Sequence, residues 1–277
     1  MPLTYENTSR FIDAKGLTFH YHEAGGGEPL VCVGATAIGA TAWGQLYRNF
    51  EGLSRHYRVL AVNLPPHGES SKDITAFNGQ RTVFYADLLR DFMDALGIRS
   101  SNLYGGSPGA AVVMRFAMRH PDRAKKLVLD APTQLGQGLF APNPMEGPKA
   151  NMRMGANPTV EMVRRTMETQ FSDPRHIDDD IVRFRYESLT RPGYREALAK
   201  LTGPVEDMRP ELDKIPHPSL VIFGAAERDV ALDRGFEAIW RMPNARLHIF
   251  GHAGHWPQHE RPEEWNRLVI GWLQEVA

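Results

Sequence analysis

The stretch Asn102-Leu103-Tyr104-Gly105-Gly106-Ser107-Pro108-Gly109-Ala110 decides how this chain is read. Asn102 to Tyr104 is a short apolar run of strand character, and 110–119 follows as a helix. Between them lies a G-x-S-x-G run. Small residues on both sides of the serine permit a sharp turn that lifts its hydroxyl above a sheet. A glycine-rich turn with a bystander serine is the bland alternative, and the strand–turn–helix setting weighs against it. Ser107 is the expected nucleophile.

Working outward, 10–14 and 17–22 read as a hairpin about Lys15-Gly16. Strand-like runs recur at 30–33, 58–62, 127–129, 220–223 and 247–250. Residues 82–96 carry apolar side chains at helical spacing up to Gly97, and Pro262 opens an amphipathic closing helix. Strands alternating with helices in this way predict a mostly parallel, doubly wound sheet. The alternation fails between about Gln134 and Thr202, where Met, Arg and Pro accumulate. Helical stretches are expected there at 160–171 and 177–189. The expected organisation is a core of 1–133 and 203–277 with a helical cap, 134–202, over the carboxyl edge of the sheet. Ligands bind at that edge in open α/β folds.

A serine needs a base. His255, in Gly254-His255-Trp256 after the last strand, follows the order nucleophile, acid, histidine expected with such an elbow. His248 and His252 are its neighbouring competitors. The acid has three candidates. Glu227 sits in the loop after 220–223, where a carboxylate usually orients the imidazole; Asp229 is two residues on, and Asp130 ends an earlier core strand. Glu227 is preferred by position.

The bulk properties fit a small-molecule enzyme. Lys plus Arg is 32 against 33 for Asp plus Glu, giving a formal charge of -1. That balance makes no electrostatic case for nucleic acid or an anionic membrane. Hydrophobic residues are 42%, enough for a substantial core. The single cysteine, Cys32, lies in an apolar run and reads as packing. No Cys/His metal spacing, secretory leader or membrane-length apolar run is visible, and the expected location is cytoplasmic.

Beyond the elbow, several blocks resemble the meta-cleavage product hydrolases, carbon–carbon bond hydrolases of aromatic-ring degradation. They are Leu46-Tyr47-Arg48-Asn49, the run from Phe140 to Gly147, Ala245 to His248, His255-Trp256, and Trp265 to Ile270. The resemblance spans nearly the whole chain and implies an α/β-hydrolase fold, a homodimer or higher assembly, and no cofactor. It implies a vinylogous 1,5-diketone acid as substrate, with Ser107 and His255 as catalytic pair. Arg185 looks like the arginine that grips the substrate carboxylate, and a guanidinium fork suits that planar anion. Trp256 looks like the aromatic lining the pocket beside the histidine. The implied reaction ketonises a dienol, then attacks the remaining carbonyl and breaks the carbon–carbon bond.

Three departures from the family pattern stand out. A His-Gly-Gly-Gly-Pro-Gly stretch is replaced by Gly34-Ala35-Thr36-Ala37-Ile38-Gly39, leaving Ala35 or Thr36 as backbone donors to an oxyanion. Pro108, flanking the nucleophile opposite Gly106, has no N–H to give, and one lost donor elsewhere costs on the order of 100- to 1000-fold. Glu227 replaces the usual aspartate. Besides the carbon–carbon hydrolase, an esterase or lactonase for a hydrophobic aromatic ester, a lyase-type reaction and a ligand-binding pseudo-hydrolase are compatible with these features.

Overall fold

A computed structural model describes residues 2–34, 36–142, 144–154, 157–204 and 206–275 of the chain. Its strands are β1 (Ser9–Ala14), β2 (Leu17–Ala24), β3 (Pro29–Val33), β4 (Arg58–Asn63), β5 (Phe77–Asn78), β6 (Ser101–Gly106), β7 (Ala124–Asp130), β8 (Leu201–Thr202), β9 (Ser219–Gly224) and β10 (Ala245–Phe250). Helices α1 (Tyr5–Thr8), α2 (Ala42–Ser54), α3 (Arg81–Ala95) and α4 (Pro108–Arg119) belong to the first half. Helices α5 (Glu146–Arg153), α6 (Val160–Glu168), α7 (Asp179–Thr190) and α8 (Tyr194–Ala199) lie between β7 and β9, and α9 (Asp233–Arg241), α10 (Pro257–Glu260) and α11 (Pro262–Gln274) complete the chain.

Eight strands form one sheet in the order β1-β2-β4-β3-β6-β7-β9-β10. The first hairpin is antiparallel, as is β2 against β4; every other neighbouring pair is parallel. The strands expected from the sequence are all present in this sheet, within two residues at each end except β7, which begins three residues earlier than expected. Lys15 and Gly16 both adopt positive φ, 52° and 81°, which closes the tight turn of the hairpin. The central strands are buried on both faces, with Leu30 to Val33 fully buried, as helices on each side of a parallel sheet require.

The sequence reading passed over α2. Trp43, Leu46, Phe50 and Leu53 form its buried stripe at helical spacing, and the Thr41 side chain accepts from Gly44 N at 3.1 Å to cap it. The helix expected at 160–171 stops at Glu168. The chain turns there so that Gln170 O accepts from His255 N at 2.7 Å. The helix expected from Ile177 begins instead at Asp179, because the Asp178 carboxylate accepts from Ile181 N at 2.9 Å and fixes the start. Helices α5 to α7 pack among themselves and onto the loops at the carboxyl ends of the strands. Met154, Val163, Met167, Phe171, Ile181 and Trp256 are part of this separate apolar cluster.

Candidate active site

Ser107 sits between β6 and α4 with φ 55° and ψ -121°. A non-glycine residue held in this region costs on the order of 1–3 kcal/mol and persists only where its surroundings enforce it. Here Ser107 N donates to Asp130 O at 2.7 Å, and Ala110 N donates to Ser107 O at 3.0 Å. Two glycines make the turn sterically possible. A Cβ on Gly105 would stand 2.5 Å from Gly109 O, and one on Gly109 would stand 2.6 Å from Gly34 O. Pro108 is the first residue of α4, where its fixed φ is tolerated and the helix itself needs no N–H.

The base and acid meet this hydroxyl. His255 Nε2 lies 2.9 Å from Ser107 Oγ, and His255 Nδ1 lies 2.7 Å from Glu227 Oε2. The carboxylate of Glu227 is nearly sealed from solvent, and its other oxygen accepts from Asp229 N at 2.7 Å and Val230 N at 3.2 Å. The extra methylene of glutamate is thus taken up by a loop that folds around the carboxylate. Asp229 does not occupy that position. Its Oδ2 lies 3.7 Å from His255 Nε2, on the serine side, and accepts from the Gln170 carboxamide. Asp130 is committed elsewhere, to Trp265 Nε1 at 3.0 Å and Tyr104 Oη at 3.3 Å. Burial pushes its carboxyl up to about 7 against these two hydrogen bonds. His248 packs against Phe250 within β10, and His252 is exposed; neither meets the serine.

Burial alone would lower the His255 pKa. The negative charges of Glu227 and then Asp229 overcome this and push it up to about 9. The imidazole is further fixed through its own backbone and its loop. Gly254 N donates to Glu260 Oε1 at 2.6 Å, while Glu260 Oε2 accepts from Ser172 N at 3.0 Å. Glu260 is buried and ties the histidine loop to the chain that follows α6. It was not singled out from sequence, where nothing distinguishes it from the acidic residues around it.

Ser107 and His255 open onto a cavity of about 470 Å³ bounded by strand-end loops and by the segment between β7 and β9. Arg185, on α7, lines it and is only 5% exposed. Its Nη1 donates to Gln170 Oε1 at 2.7 Å and its Nη2 to Asn151 Oδ1 at 2.9 Å, while Nε has no acceptor. Burial lowers its pKa, opposed by Asp229 and Tyr194. No carboxylate among the described residues forms an ion pair with this cation, so the cavity holds a guanidinium hydrogen-bonded to neutral amides alone. Trp256 belongs to both settings considered for it, lining the cavity while its ring stacks on Phe171 at 5.9 Å.

Of the oxyanion candidates, Thr36 lines the cavity beside Ser107 and Pro108; Ala35 lies outside the described residues. Gln45, on α2, also lines it, and its carboxamide nitrogen fills the space that a side chain on Gly106 would need. Sequence reasoning missed Gln45, Gln170 and Asn151, since neutral amides carry no motif of their own. Among the described residues, no cluster of three or more His, Cys, Asp or Glu could hold a metal ion, and no helix is long and apolar enough to cross a membrane.

Comparison with known proteins follows the same line. A family model for the alpha/beta hydrolase fold matches residues 30–176. A 2-hydroxy-6-oxo-6-phenylhexa-2,4-dienoate hydrolase of Comamonas testosteroni is 34% identical, the match covering 99% of both chains. The chain belongs to the meta-cleavage product hydrolases of the α/β-hydrolase fold. A second relative of this hydrolase, from Burkholderia vietnamiensis, is named a 2-hydroxy-6-oxononadienedioate/2-hydroxy-6-oxononatrienedioate hydrolase. It is also 34% identical, over 98% of this chain and 97% of its own. Among solved structures, a meta-cleavage product hydrolase of Pseudomonas fluorescens IP01 superposes with a TM-score of 0.83 at 25% identity, covering 97% of this chain and 98% of the other.

Proposed function

We propose that this protein hydrolyses a carbon–carbon bond in a ring-fission product of aromatic catabolism, with Ser107 as nucleophile, His255 as general base and acid, and Glu227 as the orienting carboxylate. The continuous contact from Glu227 through His255 to Ser107, opening onto a cavity with an amide-held arginine, carries the reading. Residues 134–202 act as the cap. The enzyme works in the cytoplasm as a homodimer or higher assembly and acts on a small molecule without a cofactor.

Arg185 meets the substrate carboxylate, replacing water with a charge-assisted fork. Ketonisation moves the dienol proton to carbon, leaving a carbonyl conjugated as an electron sink. Ser107 Oγ then attacks the second carbonyl carbon while its proton passes to His255 Nε2. The tetrahedral intermediate collapses by breaking the carbon–carbon bond, whose electron pair passes into the sink as a dienolate. His255 returns the proton to the departing fragment. Water, deprotonated by His255, attacks the acyl-serine and releases a carboxylic acid. With Pro108 unable to donate, the Thr36 side of the cavity and the Gln45 carboxamide stabilise the oxyanion. An ester substrate without a carboxylate would leave Arg185 with no anion to meet, and a binding-only protein would have no use for a strained serine held against an imidazole.

The test is incubation with a coloured ring-fission product. Loss of its visible absorbance with the wild-type protein, abolished in Ser107→Ala, is the expected result; unchanged absorbance with the wild type overturns the proposal.

A further inference from the structure

Arg234 lies in the first turn of α9 and lines the same cavity as Ser107. Its side chain is half-buried, and its guanidinium makes no hydrogen bond or ion pair with any described residue; the Nε is buried without an acceptor. The acids that act on it do not pair with it. Glu227 serves His255, and Asp233, whose Oδ2 accepts from Leu139 N and from Phe140 N at 3.3 Å and whose Oδ1 is buried without a partner, forms no ion pair with Arg234. Burial lowers the pKa of Arg234, with Asp233 and Glu227 opposing, yet an arginine remains cationic. Desolvating a guanidinium without an acceptor is costly unless a ligand supplies one.

The arrangement is distinct from that of Arg185. That residue is on α7 and is held by Gln170 and Asn151. The carboxylate acting on it is that of Asp229, whereas the charges acting on Arg234 are Asp233, Glu227, Arg209 and Asp207. Arg185 is thus held by two amides and Arg234 by no described side chain, although both face one cavity. Val230 and Ala231 supply apolar lining next to Arg234.

We propose that Arg234 is a second anion-binding residue and that the substrate is a ring-fission product with a carboxylate at each end. This inference rests on the hydrolase reading above and deepens it. The reaction supplying such a substrate is extradiol ring opening of a catechol that carries a carboxyalkyl side chain. The relatives leave the point open: the phenylhexadienoate hydrolase and the nonadienedioate hydrolase are each 34% identical to this chain. The unpaired guanidinium favours the dioate.

Two measurements test it together. The first is the ratio of kcat/KM for 2-hydroxy-6-oxononadienedioate to that for its 6-phenyl hexadienoate counterpart, in wild type and Arg234→Gln. A charge-assisted contact predicts that the ratio falls about 10- to 100-fold in the variant. The second is calorimetric binding of nonanedioate and of its monomethyl ester to the Ser107→Ala protein, with and without Arg234→Gln. The diacid is expected to bind at least about tenfold more tightly, with the preference lost in the double variant. Equal binding of diacid and half-ester, or an unchanged kcat/KM ratio, overturns the inference. If neither coloured substrate is consumed but the Arg234-dependent diacid preference is present, the hydrolase reading fails and the second anion site stands.

Discussion

Replacing Asp229 by asparagine should move the pH dependence of catalysis downward. The reasoning begins with the imidazole, which must be neutral to accept the Ser107 proton. With the His255 pKa pushed up to about 9, wild-type kcat/KM should rise about tenfold per pH unit and level off above about 9. The shift from the ordinary 6.5 corresponds to about 3 kcal/mol. It is a net figure, because burial and Arg185 oppose the two carboxylates. Asp229, 3.7 Å from Nε2, is the smaller contributor after Glu227. Two unit charges about 4 Å apart interact by ~4 kcal/mol near a protein surface, a ceiling for this pair. Arg185, joined to Asp229 through Gln170, offsets part of it. A drop of about one pH unit is therefore expected, equivalent to ~1.4 kcal/mol. Asparagine keeps an oxygen for the Gln170 carboxamide, so geometry should be preserved. The assay is kcat/KM from absorbance loss between about pH 6 and 10.5; at pH 7.5 the variant should be several-fold faster than wild type. A limb that stays in place or moves upward refutes the argument that Asp229 raises the imidazole pKa.

Other outcomes follow from the same contacts. Glu227→Gln should cut kcat by roughly 10⁴-fold with the fold intact, as seen when the orienting acid of a triad loses its charge; steady-state kinetics beside a melting curve checks this. Gly106→Ala should displace the Gln45 carboxamide that fills the space of its Cβ and lower kcat more than Gly271→Ala, whose Cβ meets nothing within 4 Å. Glu260→Ala should lose acceptors for Gly254 N, which is buried, and for the partly buried Ser172 N, costing about 1–3 kcal/mol for the buried donor left without a partner, which chemical denaturation measures. Asp130 has a folded-state pKa raised to about 7. Its contribution to stability is fully present below the ordinary carboxylate range and is lost as pH rises toward 7. Asp130→Asn should therefore gain Tm relative to wild type as pH increases from 4 to 7, and a constant difference would contradict this.

The sheet was legible because its strands alternate with helices at regular spacing and because Gly105-Gly106-Ser107-Pro108-Gly109 stands between a strand and a helix, the setting of an elbow. The serine and histidine were legible for a related reason, since chain order fixes where each falls on such a sheet. Helix α2 was not, since its stripe of Trp43, Leu46, Phe50 and Leu53 is diluted by Gly44 and Gly52. The end of α6 depended on a tertiary contact, from His255 N to Gln170 O, whereas the start of α7 was set by a local cap, Asp178 on Ile181 N, that the sequence reading did not pick out. The sequence left three carboxylates open as the acid, because which one reaches an imidazole is decided by loop closure. Glu227 does so only because its other oxygen is gripped by the backbone of Asp229 and Val230. The unpaired state of Arg234 was invisible for a similar reason: a cation next to Asp233 in sequence looks paired, yet Asp233 turns one oxygen to Leu139 N and Phe140 N and the other meets no donor.

The most direct test is active-site labelling with a fluorophosphonate, followed by peptide mass mapping. One adduct per chain on the peptide containing Ser107, formed at least about a hundredfold more slowly in His255→Ala, is the predicted result. A wild-type protein that stays unlabelled, or that reacts at another residue while Ser107 remains free, would contradict the account.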